Sequence, residues 1–306
     1  MTRTALKSVR DNAEFPYRLI LVDNSDEDEC RTSYREMAAS SEFGETLLIQ
    51  NEKNLGWLKA TNIGLRVADA EYVCLLNNDV VCGSGWLARC IELMVREADI
   101  GLVNPRGNER RENAQVSDVD TYARTLAVLE RGRYTERSHC SGFCMVMPIC
   151  LVKEIGLLDE IFEHGYYEDN DFSYRARASG YRCAQCDDAF VLHLGSQSFK
   201  KMPSEQKRLM IDRNRKICES RWGKVRRQLL LINAPDVSAD ELIAQIRQNR
   251  TYLINSRYVP EKVRVFRHQN LQLLRPGPLG KTIGFYWHSF YLSFKKRIDE
   301  ARIMYI

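Results

Sequence analysis

The sequence EYVCLLNND at residues 71–79 decides the fold, because a run of strand-forming residues is followed directly by three polar ones. Residues 17–26, YRLILVDNSD, repeat the pattern, with an apolar strand that ends at Asp23 in a polar turn. In open α/β sheets, ligands bind outside the carboxyl ends of the strands. Asp23 and Asp79 therefore predict a ligand site at that end of the sheet.

The rest of the first 200 residues continues this alternation. Apolar runs predict strands at residues 46–49, 100–103, 142–147 and 189–193, and helical patterns lie between the predicted strands, including one over residues 54–67. Strands that alternate with helices are typical of a mostly parallel sheet with helices on both faces. The sequence therefore predicts an α/β fold of Rossmann-like type.

Charge divides the chain near Lys200. From Lys200 onward there are 23 Lys and Arg against 9 Asp and Glu, a net charge of +14, whereas the preceding residues have 22 against 32, a net charge of −10. Helical patterns at residues 205–222 and 240–250 dominate the basic part. We therefore assign residues 1–199 to the α/β domain and residues 200–306 to a basic, mainly helical C-terminal extension.

The sequence favours a cytoplasmic location. It has no run of about 18 apolar residues, and the first residues lack the apolar stretch of a secretory signal. The ten cysteines fit a reducing compartment, where buried thiols act as small hydrophobic groups. Cys183 and Cys186 have metal-ligand spacing, with Cys140 and Cys144 at a looser spacing, so structural zinc or redox chemistry is a second interpretation of these residues.

Polar and apolar residues recur in an order that resembles the family-2 glycosyltransferases of the GT-A fold, in particular rhamnosyltransferase-like enzymes of polysaccharide biosynthesis. The resemblance covers about residues 4–199. It rests on the following stretches: LVDNSD at 21–26, NEKNLG at 51–56 with NIGL at 62–65, LLNNDV at 75–80, GFCM at 142–145, IGLLDE at 155–160 and YEDNDF at 167–172, followed by Arg175, Gly180, Tyr181 and His193.

The resemblance implies an inverting, metal-dependent transfer of a hexosyl-type sugar. The donor would be a UDP- or dTDP-sugar, and the acceptor would be a hydroxyl of a glycan or of a lipid-linked molecule. Asp169 would be the general base, with Glu168 orienting the acceptor, and Asp79 and His193 would bind Mn²⁺ or Mg²⁺. The implied nucleotide-sugar pocket consists of Asp23, Asn24, Ser25, Asn54, Lys59, Asn62, Asn77 and Asn78.

The chain departs from the family pattern at two places. Asn77 stands where the metal motif has its first aspartate, so Asp79 is the only anionic residue of that motif. The strand with which the family's domain usually opens is absent, because the sequence begins at what resembles the following helix, near residues 5–9. Two explanations follow from this departure: the translation start is assigned too late, or the protein is truncated.

Two other functions stay open at this point. A non-catalytic, truncated relative would bind a nucleotide or a partner without turnover, and the departure at the start of the chain supports it. A sugar-1-phosphate nucleotidyltransferase would show a Gly-rich, basic N-terminal loop, which the sequence lacks. For single residues, structural roles compete with functional ones. In particular, we expect Asp171 to form an ion pair with Arg175 one helical turn later.

The last residues predict a helix with one aromatic face. Within residues 281–306, helical spacing aligns Ile283, Trp287, Phe290, Tyr291, Phe294 and Ile298. This face would pack on the catalytic domain or on a second subunit of a homo-oligomer. In the alternative, nearby basic residues would help it dock on the inner face of the membrane. No nucleic-acid-binding motif is present, so no nucleic-acid partner is expected.

Overall fold

The computed structural model describes residues 1–108, 118–195, 202–232, 237–254 and 259–274, together with the backbone of 300–304. The helices are α1 (Thr2–Asn12), α2 (Asp28–Ala39), α3 (Trp57–Val67), α4 (Trp86–Arg96), α5 (Val119–Leu129), α6 (Ile149–Ile155), α7 (Glu168–Ala178), α8 (Ser204–Trp222), α9 (Ala239–Gln248) and α10 (Glu261–Arg264). The strands are β1 (Leu19–Asp23), β2 (Thr46–Gln50), β3 (Tyr72–Leu76), β4 (Val80–Cys82), β5 (Ile100–Arg106), β6 (Tyr134–Arg137), β7 (Cys144–Pro148), β8 (Arg182–His193), β9 (Arg227–Ile232), β10 (Arg250–Ile254), β11 (Leu271–Leu274) and β12 (Glu300–Met304).

The chain forms two compact units. The first contains residues 1–134 and 139–222, and the second contains residues 135–138 and 223–306. The predicted α/β fold is confirmed in the first unit, where the central sheet has the strand order β3-β7-β5-β8-β4. β5 and β8 are parallel, whereas β7 is antiparallel to β3 and β5.

The strands β5 and β7 of the first unit contain runs of apolar residues that are buried on both faces of the sheet. Val103 of β5 and Met145, Val146 and Met147 of β7 have no exposed surface. Burial of a side chain of this size stabilises the fold by roughly 1.5–3 kcal/mol. Helix α4 adds Trp86 to the core cluster that contains Val103 and Val146.

The strands β1 and β2 form a separate parallel pair. Helix α3 covers this pair through Gly64, where an added Cβ would lie 3.4 Å from Val22. On the same helix, Leu58 and Leu65 belong to the core that includes Leu75 of β3. Helix α3 therefore packs against both sheets. Among the described residues, no strand pairs with both β1 and β3.

The second unit contains a parallel sheet with the order β11-β10-β9-β12. Its core includes Leu230, Leu253 and Ile246, all fully buried. Within this unit, the carboxylate of Glu136 accepts two hydrogen bonds from the guanidinium of Arg247, at 2.6 and 2.9 Å. None of the helices that the structure describes has the length and apolar character needed to cross a membrane.

The C-terminal part differs from the mainly helical extension that the sequence predicts. Helices occur at Ser204–Trp222 and Ala239–Gln248 as expected, but the described residues after 222 also contain four parallel strands. Their apolar runs are short and continuous, so they lack the alternation by which a strand is recognised, and the surrounding basic residues obscured them. The helix Ser204–Trp222 lies in the first unit. The aromatic residues of the predicted tail helix lie outside the described residues.

Candidate active site

The loop after β1 is organised around the carboxylate of Asp23. This residue is fully buried, and its two oxygens accept hydrogen bonds from the backbone N–H of Ser25 and the Nε2 of Gln50, both at 2.9 Å. The last residue of β1 therefore fixes the turn that follows the strand. The sequence predicts that Asp23 contacts a nucleoside, and in the described structure both of its carboxylate oxygens are hydrogen-bonded within the protein.

Two asparagines connect this turn to the start of α3. The Oδ1 of Asn24 accepts hydrogen bonds from the N–H of Leu55 at 2.8 Å and from the Nδ2 of Asn51 at 3.1 Å. The Nδ2 of Asn24 donates to the Oδ1 of Asn54 at 2.9 Å. Asn54 also accepts from the N–H of Gly56, whose φ of 81° favours glycine. Four predicted nucleotide-binding residues, Asp23, Asn24, Ser25 and Asn54, thus belong to one network.

The predicted metal ligands meet at the end of β3. The Nε2 of His193 lies 3.2 Å from the Oδ1 of Asp79 and 3.4 Å from the Nδ2 of Asn77. The ring of Phe143 stacks on the imidazole, with ring centroids 5.2 Å apart. The side chain of Asn108 fixes the backbone of His193, accepting from its N–H at 3.0 Å and donating to its C=O at 3.1 Å.

The chemistry of this pair fits a divalent cation. A buried carboxylate and an imidazole nitrogen 3.2 Å from one of its oxygens are two types of ligand suited to Mn²⁺, and the phosphates of a nucleotide fill the remaining positions in sites of this kind. The described residues contain no group of three or more His, Cys, Asp or Glu side chains that could hold a metal without such phosphates. The fit therefore requires a ligand that brings its own oxygens.

The two acidic residues at the start of α7 have different environments. Glu168 is buried, and its Oε2 has no hydrogen-bond partner among the described residues. Burial and the neighbouring carboxylate of Asp169 raise the pKa of Glu168 to about 8. Asp169 is less buried, and its Oδ2 accepts from the N–H of Gly142 at 3.2 Å. Near neutral pH Glu168 therefore carries a proton.

Trp57 connects the acidic pair to the predicted metal ligands. Its indole Nε1 donates to the Oδ1 of Asn77 at 3.1 Å. Its ring covers Gly142 so closely that an added Cβ would lie 2.8 Å from the ring. A continuous set of contacts thus leads from His193 through Asn77, Trp57 and Gly142 to Asp169. Neither Trp57 nor Gly142 is among the site residues that the sequence predicts, although Gly142 lies within a stretch on which the family resemblance rests.

Three predicted pocket residues have other surroundings. The carboxamide of Asn62 is fully buried, donates to the C=O of Leu158 at 2.9 Å and accepts from its N–H at 3.1 Å. This bonding ties α3 to the loop after α6. The side chain of Lys59 is exposed. Asn78 donates to the Oγ1 of Thr2 at 3.2 Å, which places it beside the start of α1.

The remaining predicted side-chain roles concern Asp171 and the cysteines. The expected ion pair is present, with the Nε of Arg175 3.0 Å from the Oδ2 of Asp171. Arg221 and Trp222 also donate to Asp171, at 3.2 and 2.9 Å, so this carboxylate holds α8 against α7. Cys183 and Cys186 are buried as free thiols in β8.

The α/β fold of the first unit is that of the GT-A glycosyltransferases. A mannosyltransferase from Pyrobaculum calidifontis, solved with GDP-Man and Mn²⁺, shares this fold, with a TM-score of 0.53 and 15% identity over 72% of this chain and 59% of its own. The model of the family "Glycosyl transferase family 2" matches residues 1–156, and the chain belongs to that family.

Relatives in other organisms match the same part of the chain. An uncharacterized protein of Mycobacterium bovis is 28% identical over 154 residues, which is 48% of this chain and 56% of that protein. A low-salt glycan biosynthesis hexosyltransferase of Haloferax volcanii is 25% identical over 186 residues, which is 57% of this chain and 58% of that protein. The chain thus spans less than two thirds of the length of these curated relatives.

Proposed function

We propose that the chain is an inverting glycosyltransferase, which moves a sugar from a nucleoside diphosphate to an acceptor hydroxyl. The observation that carries this proposal is the set of contacts from the Asp79–His193 pair to Asp169. A site for the departing diphosphate and a carboxylate for the attacking hydroxyl then lie in one connected unit. Inversion follows if a single base acts on the face opposite the leaving group.

In this proposal Asp79 and His193 would hold a divalent cation, which neutralises the charge that develops on the leaving diphosphate. The imidazole nitrogen favours Mn²⁺ over Mg²⁺. Phe143 and Asn108 keep His193 in place through ring stacking and backbone hydrogen bonds. The amide of Asn77 neighbours the same imidazole and adds no charge, so Asp79 supplies the anionic ligand of this motif.

Asp169 is the proposed general base, and Glu168 is its neutral neighbour. Because burial and the neighbouring carboxylate raise the pKa of Glu168 to about 8, Glu168 carries a proton near neutral pH. Asp169 would take the proton of the acceptor hydroxyl during its attack on the anomeric carbon. The protonated carboxyl of Glu168 would donate a hydrogen bond to the acceptor and so orient it.

The donor would bind across the two polar loops. Partly or fully exposed groups of Asn24, Ser25 and Asn54 are available to a nucleoside, and Asp23 holds their loop in shape. Lys59 and Asn78 would reach the donor from the starts of α3 and β4. We propose a UDP- or dTDP-sugar, and the GDP-Man bound to the mannosyltransferase adds GDP-sugars to the donors that should be tested.

The proposed acceptor is a hydroxyl of a glycan or of a lipid-linked molecule. The name of the Haloferax relative, a hexosyltransferase of glycan biosynthesis, supports a glycan product and a role in polysaccharide biosynthesis. The aromatic residues of 281–306 and the basic residues near them would bring the protein to the inner face of the membrane, where a lipid-linked acceptor would be found.

A donor screen tests the proposed function. The full chain is incubated with UDP-, dTDP- and GDP-sugars in Mn²⁺, in Mg²⁺ or in excess chelator, and the released nucleoside diphosphate is measured. We expect release from one class of donor, and only with a divalent cation. Binding of a nucleotide without release from any donor, with glycan acceptors present, would favour the non-catalytic alternative.

A further inference from the structure

The loop that precedes α7 has an unusual backbone. Glu163, Tyr166 and Tyr167 have φ angles of 53°, 65° and 78°, and the intervening Gly165 has a φ of 121°. Bulky side chains are disfavoured at positive φ because Cβ approaches the backbone carbonyl oxygens. Such a conformation persists only where the surrounding structure holds it in place. The structure of this loop therefore requires an external support.

That support comes from Asn214 on α8. Asn214 is fully buried, and its Nδ2 donates to the carbonyl oxygens of Phe162 and Gly165, both at 2.9 Å, and of Tyr166 at 3.1 Å. Its Oδ1 accepts from a guanidinium nitrogen of Arg213 at 2.9 Å. One carboxamide thus binds the loop at three carbonyls, and both of its polar atoms are hydrogen-bonded.

Asn214 lies at a position where an apolar residue would be expected. The buried face of α8 is formed by Met210, Asn214 and Cys218, each one turn after the last. A polar side chain at the centre of such a face is tolerated because it is fully hydrogen-bonded. The same helix contacts the loop again through Arg213, which donates to the C=O of Ile161 at 3.0 Å.

The loop leads directly into the acidic pair of the candidate active site. Tyr167 immediately precedes Glu168, and the C=O of Tyr167 accepts the N–H of Asp171 at 2.9 Å, which closes the first turn of α7. The backbone conformation of Tyr166 and Tyr167 thus determines where the side chains of Glu168 and Asp169 lie. We propose that Asn214 is a positioning residue, which holds this loop so that the acidic pair faces the acceptor. The inference rests on the proposed function.

The test compares substitutions at two positions, one helical turn apart, on the same buried face of α8. Asn214→Leu keeps the branched shape of the side chain, with a larger volume, and removes its donors, whereas Asn214→Asp removes the donors and adds an acceptor. Cys218→Ala is the matched control, because it creates a cavity one turn away without touching the loop carbonyls. Each full-length variant is examined by amide hydrogen exchange of residues 163–171, by thermal melting, and by nucleoside diphosphate release.

We expect faster exchange in residues 163–171 for both Asn214 variants and not for Cys218→Ala. We also expect kcat to fall by about tenfold or more while KM for the donor changes by less than about threefold, because the misplaced groups act on the acceptor. A shifted pH profile of kcat should accompany this fall. A purely structural role would lower the melting temperature in all three variants without the split between kcat and KM.

Unchanged exchange at residues 163–171 in Asn214→Leu would overturn the inference, whatever happens to turnover. An equal loss of kcat in Cys218→Ala, at the same melting temperature, would also overturn the inference. If the unmodified chain releases no nucleoside diphosphate from any donor, the proposed function fails and the positioning role fails with it. In that case faster exchange would show only that Asn214 supports the loop, which separates the two failures.

Discussion

The imidazole Nε2 of His193 lies 3.2 Å from the Oδ1 of Asp79, although Asp79 immediately precedes β4 and His193 ends β8. The register of β4 and β8 produces this contact. The two strands are antiparallel, with Val80 opposite His193, so the residue before β4 meets the residue that ends β8. A shift of one residue in this pairing would turn the imidazole to the other face of the sheet.

Removal of the Asp79 carboxylate should weaken the binding of a nucleotide-sugar donor. We expect Asp79→Asn to lower donor affinity in Mn²⁺ by roughly 10- to 100-fold, the range typical of losses at metal sites. His193→Ala should lower it less or shift the preference towards Mg²⁺. Titration calorimetry with each cation checks this prediction, with Asp69→Asn, an exposed carboxylate paired with Arg18, as the control. Equal affinities with cation and with excess chelator would contradict the metal assignment.

The protonated state of Glu168 should make the stability of the protein depend on pH. Its pKa is raised from an ordinary value of 4.5 to about 8, so the folded chain binds an additional proton between these values. The contribution of this group to stability is therefore largest below about pH 4.5 and falls as the pH rises to about 8. Glu168→Gln, which cannot ionise, should lose this dependence.

Thermal melting of both proteins from pH 5 to pH 9 measures this effect. The melting temperature of Glu168→Gln relative to the unmodified chain should rise with pH up to about 8 and then level off. Glu71→Gln, at an exposed position, should give a constant difference over the same range. A constant difference for Glu168→Gln as well would mean that Glu168 is ionised throughout.

A double-mutant cycle tests the contact between Trp57 and Gly142. In Gly142→Ala, the new Cβ would lie 2.8 Å from the Cη2 and 3.2 Å from the Cζ2 of the indole. We expect the displaced indole and the shifted N–H of residue 142 to lower turnover by about tenfold or more. Because phenylalanine lacks both indole atoms, Gly142→Ala should lower turnover much less in a Trp57→Phe background. Additive effects would show that the two residues act independently.

The sequence predicted the positions of single residues better than their partners. Asp23 and Asp79 lie at strand ends as expected, because strand patterns and turn residues are local signals. Asn62 could not be distinguished from a ligand-binding residue, since its role depends on Leu158 in a distant loop. Asn214 had no signal at all, because a single asparagine in a helix gives no indication of the carbonyls that it binds. The strands after Trp222 were not predicted, because the prediction for that part of the chain rests mainly on its charge.

The basic residues near the end of the chain should attract anionic lipid. Replacement of Lys295, Lys296 and Arg297 by alanine should reduce co-sedimentation with liposomes that contain anionic lipid, because each basic residue near such a surface contributes around 1 kcal/mol. The binding of the unmodified chain should also fall steeply with salt. Pelleting that is negligible for both proteins would contradict the proposed membrane contact and favour packing within the protein.

The central claim, that Asp169 is the base of a glycosyl transfer, is tested most directly by Asp169→Asn. The measurement is the rate of transfer from the donor found in the screen, together with the affinity of the variant for that donor. The account predicts a fall in kcat of about 10²- to 10⁴-fold, with donor affinity within a few-fold of the unmodified chain. Near-normal turnover in Asp169→Asn would contradict the claim and make Glu168 the next residue to test.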